Sequence, residues 1–189
     1  MLSKERQEQV VELCQKLIRQ QSYSGHEDGV VAELSAQMKA EGFDSVTVDR
    51  YGNIIGCIKG SRPGKKILFD GHIDTVPVGD ETEWTYPPFA AEIHDGKIYG
   101  RGTSDMKGAV AGFVTAAAAF AKDTGKDFAG EIYVAGVVHE ECFEGVAARE
   151  ISKAVQPDYV VIGEASQLNL KIGQRGRGEI VVETFGKPC

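Results

Sequence analysis

The sequence predicts an α/β protein with one mostly parallel central sheet and the early hairpins at its edge. Amphipathic helical segments alternate with short apolar strands along the chain, and this alternation is typical of parallel strands joined by crossover helices. No internal repeat or low-complexity linker interrupts the pattern. The chain has 189 residues, of which 42% are hydrophobic, so it is long enough to enclose one substantial core.

The first part of the chain supplies two helices and three strands to this prediction. Apolar residues spaced three and four apart indicate amphipathic helices, while alternating or continuous apolar runs between turn residues indicate strands. The helices are predicted over residues 4–19 and 27–41, and the strands over 46–48, 54–59 and 66–69.

The later part begins with a hairpin and continues with alternating helices and strands. Asp95-Gly96 is a favoured two-residue turn, so residues 90–101 are predicted to fold back on themselves. The Ala-rich run at 108–122 indicates a helix that lies close against the sheet. Further along, we expect a helix over 145–155 and strands over 131–138, 159–162, 168–172 and 180–185.

Charge and composition argue against several classes of partner. The net charge is −7 and no basic run is present, which argues against nucleic acid and against a basic membrane-surface helix. The N-terminus lacks the apolar core of a signal peptide, and no segment is long and apolar enough to span a bilayer. The four cysteines are far apart and form no C-x-x-C pair, so we expect a reduced, cytoplasmic protein.

The stretch Phe69–Pro77 carries the first candidate site residues. It continues an apolar strand and leads into Gly79, which places His72 and Asp74 where the strand breaks into a loop. An imidazole nitrogen is a good zinc ligand, and a nearby carboxylate can hold the ring in orientation. By itself, the pair is equally consistent with two polar residues that only cap a turn.

Other acidic residues follow the ends of later apolar strands. Glu140 and Glu141 directly follow one strand, Glu164 follows another, and Asp105 stands at the start of the Ala-rich helix. Ligands of open α/β sheets bind outside the carboxyl ends of the strands, so these acids are candidates for one site. Where a strand ends, two adjacent glutamates can serve the same site, one binding a metal and the other taking a proton from water.

Other chemistries fit the sequence less well. The run Gly100–Ser104 lacks the last glycine of the dinucleotide fingerprint and the Gly-Lys-Ser/Thr of a P-loop. Ser104 has no His or acid partner in the local sequence, and the carboxylates beside Cys142 disfavour a thiolate nucleophile. In a Gly/Arg turn near the C-terminus, Arg175 and Arg177 could grip a substrate carboxylate or simply form a solvated turn.

Five stretches with candidate site residues stand in a defined order along the chain. They are GHIDTVPVG (71–79), YGRGTSDMKGA (99–109), HEE (139–141), IGEAS (162–166) and GQRGRGEI (173–180). Together they resemble the dinuclear-zinc hydrolases that include acetylornithine deacetylase, succinyl-diaminopimelate desuccinylase, aminoacylase and glutamate carboxypeptidase. Within that family, the sequence is most similar to the hydrolases linked to selenium metabolism. The resemblance implies a three-layer α/β/α catalytic domain of the zinc-peptidase type.

By position, the resemblance implies a site with two zinc ions. His72 and Glu164 would hold one zinc, Glu141 would bind the second, and Asp105 would bridge the two. Co²⁺ or Mn²⁺ could stand in for zinc at such ligands. The implied substrate is a small molecule, either a dipeptide or an N-acyl amino acid.

The same resemblance implies that Asp74 and Glu140 are catalytic. Asp74 would orient His72 through its ring N–H. Glu140 would act as general base: it takes a proton from the water that attacks the amide carbonyl and returns it to the leaving nitrogen. The chain departs from the family at His139, where an Asp is usual, and we expect His139 to adjust the base.

The resemblance also implies that the chain is the N-terminal part of a longer protein. Residues 1–178 correspond to the first part of the catalytic domain, and residues 179–189 are predicted as a strand leading towards a lid and dimerisation domain. Family members continue with a lid His and a further C-terminal His that completes the second metal site. The predicted function is therefore a metal-dependent amidohydrolase, homodimeric as a whole protein. The alternative is a catalytically incomplete fragment or homologue that binds one metal or a protein partner.

Overall fold

Five α-helices and seven strands build the fold in the computed structural model, which describes residues 3–173, 176, 178 and 180–186. The helices are α1 (Lys4–Arg19), α2 (Asp28–Ala40), α3 (Gly108–Thr124), α4 (Glu140–Phe143) and α5 (Val146–Val155). The strands are β1 (Ser45–Val48), β2 (Ile54–Lys59), β3 (Arg62–His72), β4 (Glu92–His94), β5 (Lys97–Tyr99), β6 (Ala129–Val137) and β7 (Tyr159–Ile162). In this described part of the chain, we find no helix with the length and apolar character needed to cross a lipid bilayer.

The central sheet has the strand order β1-β2-β6-β3-β7. Strand β3 runs parallel to both β6 and β7, whereas β2 is antiparallel to β6 and to β1. All strands except β2 therefore point the same way, which confirms the mostly parallel sheet, and the β1–β2 hairpin lies at its edge as expected. The hairpin of β4 and β5 also forms, but as a separate two-stranded sheet.

Helices cover both faces of the central sheet, which confirms the three-layer architecture. On one face Gly56 lies so close to α2 that an added Cβ would come within 2.6 Å of a methionine sulfur. Phe69 shares that face, since both residues pair with the same β6 residue, and its ring lies 5.1 Å from that of Phe113 in α3. Lys66 points to the opposite face, where its Nζ donates to the carbonyl oxygen of Val155 at the end of α5.

Two of the predicted strands are not formed in the described part of the chain. Residues 168–172 and 180–186 are in neither helix nor strand, and their large apolar side chains are exposed. A strand needs a hydrogen-bonded neighbour, and no described strand pairs with these segments. The expected division of the chain into residues 1–178 and 179–189 stays a prediction. The short helix α4 was not predicted.

Strand β7 lies at the edge of the sheet and is only partly covered. Its four side chains are 41–61% exposed, and β3 is its one partner among the described strands. The parallel register with β3 still fixes where β7 ends, because Ile162 lies beside Asp70. The residues that follow β7 are thereby brought to the carboxyl end of β3.

Candidate metal centre

The strands β3, β6 and β7 are parallel, and the candidate site lies at their carboxyl ends. His72 is the last residue of β3 and lies beside Val137, the last residue of β6. Ile162 ends β7, and Glu164 follows two residues later. Because these strands are parallel, their carboxyl ends deliver side chains from distant parts of the sequence to the same place.

The ring of His72 is buried, and both of its nitrogens have defined neighbours. Nδ1 lies 3.0 Å from the backbone carbonyl oxygen of Asp74, which can only accept, so the neutral ring carries its hydrogen on Nδ1. Nε2 faces the carboxylates of Asp105 at 2.9 Å and Glu164 at 3.6 Å. Burial would lower the pKa of His72, but contacts with Asp74 and Asp105 and the charge of Glu164 raise it to about 10. The surrounding acids therefore favour a positive charge at Nε2, whether a proton or a metal ion.

Asp105 reaches the site from an irregular turn, Thr103–Lys107, that precedes α3. Gly102 leads into this turn with a φ of +84°, in the left-handed region that favours glycine. At the other end of the turn, the side chain of Lys107 is fully buried. Its Nζ donates to two carbonyl oxygens at the C-terminal end of α1, at 3.0 and 2.8 Å. Lys107 thus ties the turn that carries Asp105 to the end of that helix.

Replacing Gly102 with alanine is expected to displace this turn and weaken metal binding about tenfold. A Cβ there would lie 2.8 Å from Cγ2 of Thr75 and 3.2 Å from Cδ of Lys107. Gly96→Ala is the matched control, because Gly96 has a φ of +74° but open space around it. In both variants, the left-handed backbone should lower the free energy of unfolding in urea by about 1–2 kcal/mol. Calorimetric titration with Zn²⁺ should separate them, and equal zinc affinities would contradict a role for this close approach.

The carboxylate of Asp74 is fully buried and joins the end of β3 to the turn after β6. Its Oδ1 accepts from the backbone N–H of Glu140 at 3.0 Å, and its Oδ2 from that of Glu141 at 3.1 Å and from the hydroxyl of Ser24 at 2.6 Å. Burial would raise the pKa of Asp74, but its contacts with His72, Ser24 and the two amides lower it. Its carboxylate lies 3.6 Å from Nδ1 of His72, farther than the backbone carbonyl oxygen. The ring is therefore oriented mainly by that carbonyl rather than by the carboxylate.

Four carboxylates lie close to the ring of His72. Potential ligand atoms of His72, Glu140 and Glu164 lie within 4.8 Å of one another, and so do those of His72, Asp105 and Glu141. Among the described residues, no Lys or Arg forms an ion pair with any of these four acids. Burial and repulsion between the acids, opposed by the charge of His72, raise the pKa of Glu140, Glu141 and Glu164. One imidazole and four carboxylates, with no Lys or Arg paired to those acids in the described part of the chain, form a donor set that suits a divalent metal ion.

Most of the residues predicted as site residues come together in this cluster. They are His72, Asp74, Asp105, Glu140, Glu141 and Glu164. Arg175 and Arg177 lie outside the described residues, so their contact with substrate stays a prediction. Ser24 and Lys107 were missed. Ser24 lies in a polar loop without periodicity, whereas Lys107 had one signal, a charged residue between an apolar Met and an Ala-rich helix.

The chain matches one protein-family model and a large set of curated sequences. The model described as "Peptidase family M20/M25/M40" matches residues 68–186. Succinyl-diaminopimelate desuccinylase 2 of Ruegeria sp. (strain TM1040) is 36% identical over 188 residues, covering 93% of this chain and 47% of that protein. "Uncharacterized protein YgeY" of Escherichia coli (strain K12) is 33% identical over 189 residues, covering 99% of this chain and 46% of that protein. The chain thus spans about half the length of the curated relatives it matches.

Solved structures share the fold of this chain. The M20 family metallo-carboxypeptidase Sso-CP2 from Sulfolobus solfataricus aligns with a TM-score of 0.68 at 20% sequence identity. The alignment covers 85% of this chain and 37% of that structure. At this identity the likeness shows the fold alone.

Proposed function

Because the chain belongs to peptidase family M20/M25/M40, we propose that it supplies part of a metal-dependent site that hydrolyses an amide bond. The observation that carries the proposal is the convergence of His72 with four carboxylates at the carboxyl ends of parallel strands. The expected substrate is a dipeptide or an N-acyl amino acid. A desuccinylase among the relatives supports the second class.

The donor set fits zinc, which histidine and carboxylate ligands commonly hold. We assign His72 and Glu164 to one ion, Glu141 to a second ion, and Asp105 to a bridge between them. The two groups of converging ligand atoms support this division, since Glu164 falls in one and Glu141 in the other. Co²⁺ or Mn²⁺ is expected to use the same residues. When bound, such an ion would polarise a substrate carbonyl and make water acidic enough to lose a proton near neutral pH.

We assign Glu140 as the general base. Burial and the neighbouring carboxylates, against the charge of His72, raise the pKa of Glu140, which makes it a stronger proton acceptor. Glu140 would take a proton from the attacking water and return it to the leaving nitrogen. The carboxylate of Asp74 accepts from the backbone N–H of Glu140 at 3.0 Å, and its backbone carbonyl oxygen lies 3.0 Å from Nδ1 of His72. We therefore assign Asp74 to keep both the base and the ring of His72 in position.

A second candidate function is metal binding without turnover by this chain alone. His72 belongs to both groups of potential ligands, but its Nδ1 faces the carbonyl oxygen of Asp74. The ring is therefore left with the single lone pair of Nε2, which binds only one ion. With Glu164 assigned to the ion on His72 and Glu140 to the base, Asp105 and Glu141 remain for a second ion among the described residues of those groups. They are fewer than the three protein ligands usual at a catalytic zinc. For the whole protein we also propose a homodimer and a cytoplasmic location, the latter supported by the free thiols of three described cysteines.

Metal removal tests the proposed function in the whole protein as its gene encodes it. We expect two zinc ions per chain by mass spectrometry of the metal content. Hydrolysis of N-acyl amino acids or dipeptides should stop on chelation and return with Zn²⁺, Co²⁺ or Mn²⁺. Amide hydrolysis that persists in metal-free protein would contradict the proposal. One bound ion without turnover would instead support the second candidate.

A further inference from the structure

We propose that Glu27 is a positioning residue that holds the turn bearing Glu140 and Glu141 in place. The inference rests on the proposed function, because it takes these two residues as the base and a metal ligand. Glu27 directly precedes α2 and lies 112 residues from the turn in the sequence. Its side chain is buried, with the residue only 5% exposed.

One oxygen of the Glu27 carboxylate accepts hydrogen bonds from two backbone amides. Its Oε1 accepts from the backbone N–H of His139 at 3.1 Å and from that of Gly25 at 3.0 Å. The same oxygen lies 3.8 Å from Nδ1 of His139. Among the described residues, no Lys or Arg forms an ion pair with Glu27. A buried carboxylate is unfavourable unless it is hydrogen-bonded. The two hydrogen bonds therefore fix the position of the Glu27 side chain relative to the amides of Gly25 and His139.

Three consecutive amides, those of residues 139–141, donate to buried carboxylates. The first donates to Glu27 and the next two to Asp74. His139 has a φ of +58°, in the left-handed region, where a residue with a side chain is strained by about 1–3 kcal/mol. Such a conformation persists only where its surroundings hold it. Glu27 provides that hold where the chain leaves β6, so it sets the position of the turn relative to His72.

Three substitutions separate the reach of the side chain from its charge. Glu27→Gln keeps the length and an acceptor oxygen but removes the charge. Glu27→Asp keeps the charge but is one methylene shorter, which withdraws the acceptor from the amide of His139. Glu27→Ala removes both. The matched control is Glu41→Ala, which truncates an exposed glutamate at the other end of the same helix.

Co²⁺ binding to the whole protein reads out the geometry of the site without relying on turnover. We expect Glu27→Gln and Glu41→Ala to keep the wild-type affinity and absorption spectrum. Glu27→Asp and Glu27→Ala should bind Co²⁺ about 10–100-fold more weakly, with an altered spectrum. In the zinc form of the same two variants, kcat should fall more than KM rises. The reason is that the hydrogen bond between Glu27 and the turn positions Glu140, the base, and Glu141, a metal ligand.

Two results would overturn the proposal. The first is wild-type Co²⁺ affinity and spectrum in Glu27→Asp, whatever its stability. The second is a Glu27→Gln variant as impaired as Glu27→Asp, since charge rather than reach would then matter. Both comparisons stand even if Glu27→Ala fails to fold.

Amide hydrogen exchange keeps this test separate from that of the proposed function. In metal-free protein, the amides of residues 139–141 should lose protection in Glu27→Asp and keep it in Glu27→Gln. That result would support the role of Glu27 even if the wild-type protein hydrolysed no amide. Unchanged protection in Glu27→Asp would count against it.

Discussion

Asp74→Ala is expected to lower the free energy of unfolding by about 3–5 kcal/mol and to weaken zinc binding by about 100-fold. The substitution removes the acceptor for the hydroxyl of Ser24 and for two amides of the turn after β6. Donors left buried without an acceptor cost about 1–3 kcal/mol each. The turn that carries Glu140 and Glu141 is released at the same time. Urea unfolding of metal-free protein measures the first effect, and calorimetric titration with Zn²⁺ measures the second.

Two further variants serve as a control and as an intermediate case for Asp74→Ala. Asp123→Ala removes an exposed carboxylate that pairs with Arg6, and should leave the urea midpoint of unfolding close to that of wild type. Asp74→Asn keeps one acceptor oxygen but turns an NH₂ group towards other donors, so it should fall between wild type and Asp74→Ala. If Asp74→Ala unfolded at the wild-type midpoint and bound zinc normally, Asp74 would not join the strand end to the turn.

Glu140→Gln is expected to lower turnover of the whole protein by about 10²–10⁴-fold while its zinc content stays unchanged. Glutamine has nearly the same shape and leaves the backbone N–H bonded to Asp74. Its side-chain amide, however, cannot serve as a base near neutral pH. Steady-state hydrolysis measures the loss of turnover, and mass spectrometry of the same samples measures the metal.

The metal content decides between two roles for Glu140. Its carboxylate lies in one group with His72 and Glu164, so it is placed to bind metal as well as to accept a proton. Loss of zinc along with turnover in Glu140→Gln would make it a ligand and contradict its assignment as base. The control is Glu12→Gln, an exposed glutamate on α1, which should keep both zinc and turnover.

The parts of the fold that were predicted correctly depend on local pattern. Continuous apolar runs between turn residues predicted β2 and β7 with the bounds that the structure shows. The meeting of His72 with Glu164 then followed from topology, because parallel strands have their carboxyl ends on one edge. Local pattern failed over 168–172, where apolar and polar residues alternate but no strand lies beside them in the described part of the chain.

The supports of the candidate site could not be predicted from sequence, because they act across long separations. Ser24 bonds to Asp74 across 50 residues and Glu27 to His139 across 112 residues. Both lie beside a short polar segment whose composition suits a solvated loop equally well. Whether such a segment faces water or a buried carboxylate depends on how the helices pack, which the hydrophobic periodicity of the sequence does not predict.

The exposed edge strand also sets a thermodynamic condition on metal binding. Glu164 follows β7, whose side chains are 41–61% exposed, whereas His72 ends the interior strand β3. An ion shared by these two residues would cross-link a well-anchored strand to a poorly anchored one. Its apparent affinity is then the intrinsic affinity scaled by the fraction of molecules in which β7 is docked. Anything that covers β7 would tighten metal binding without touching a single ligand.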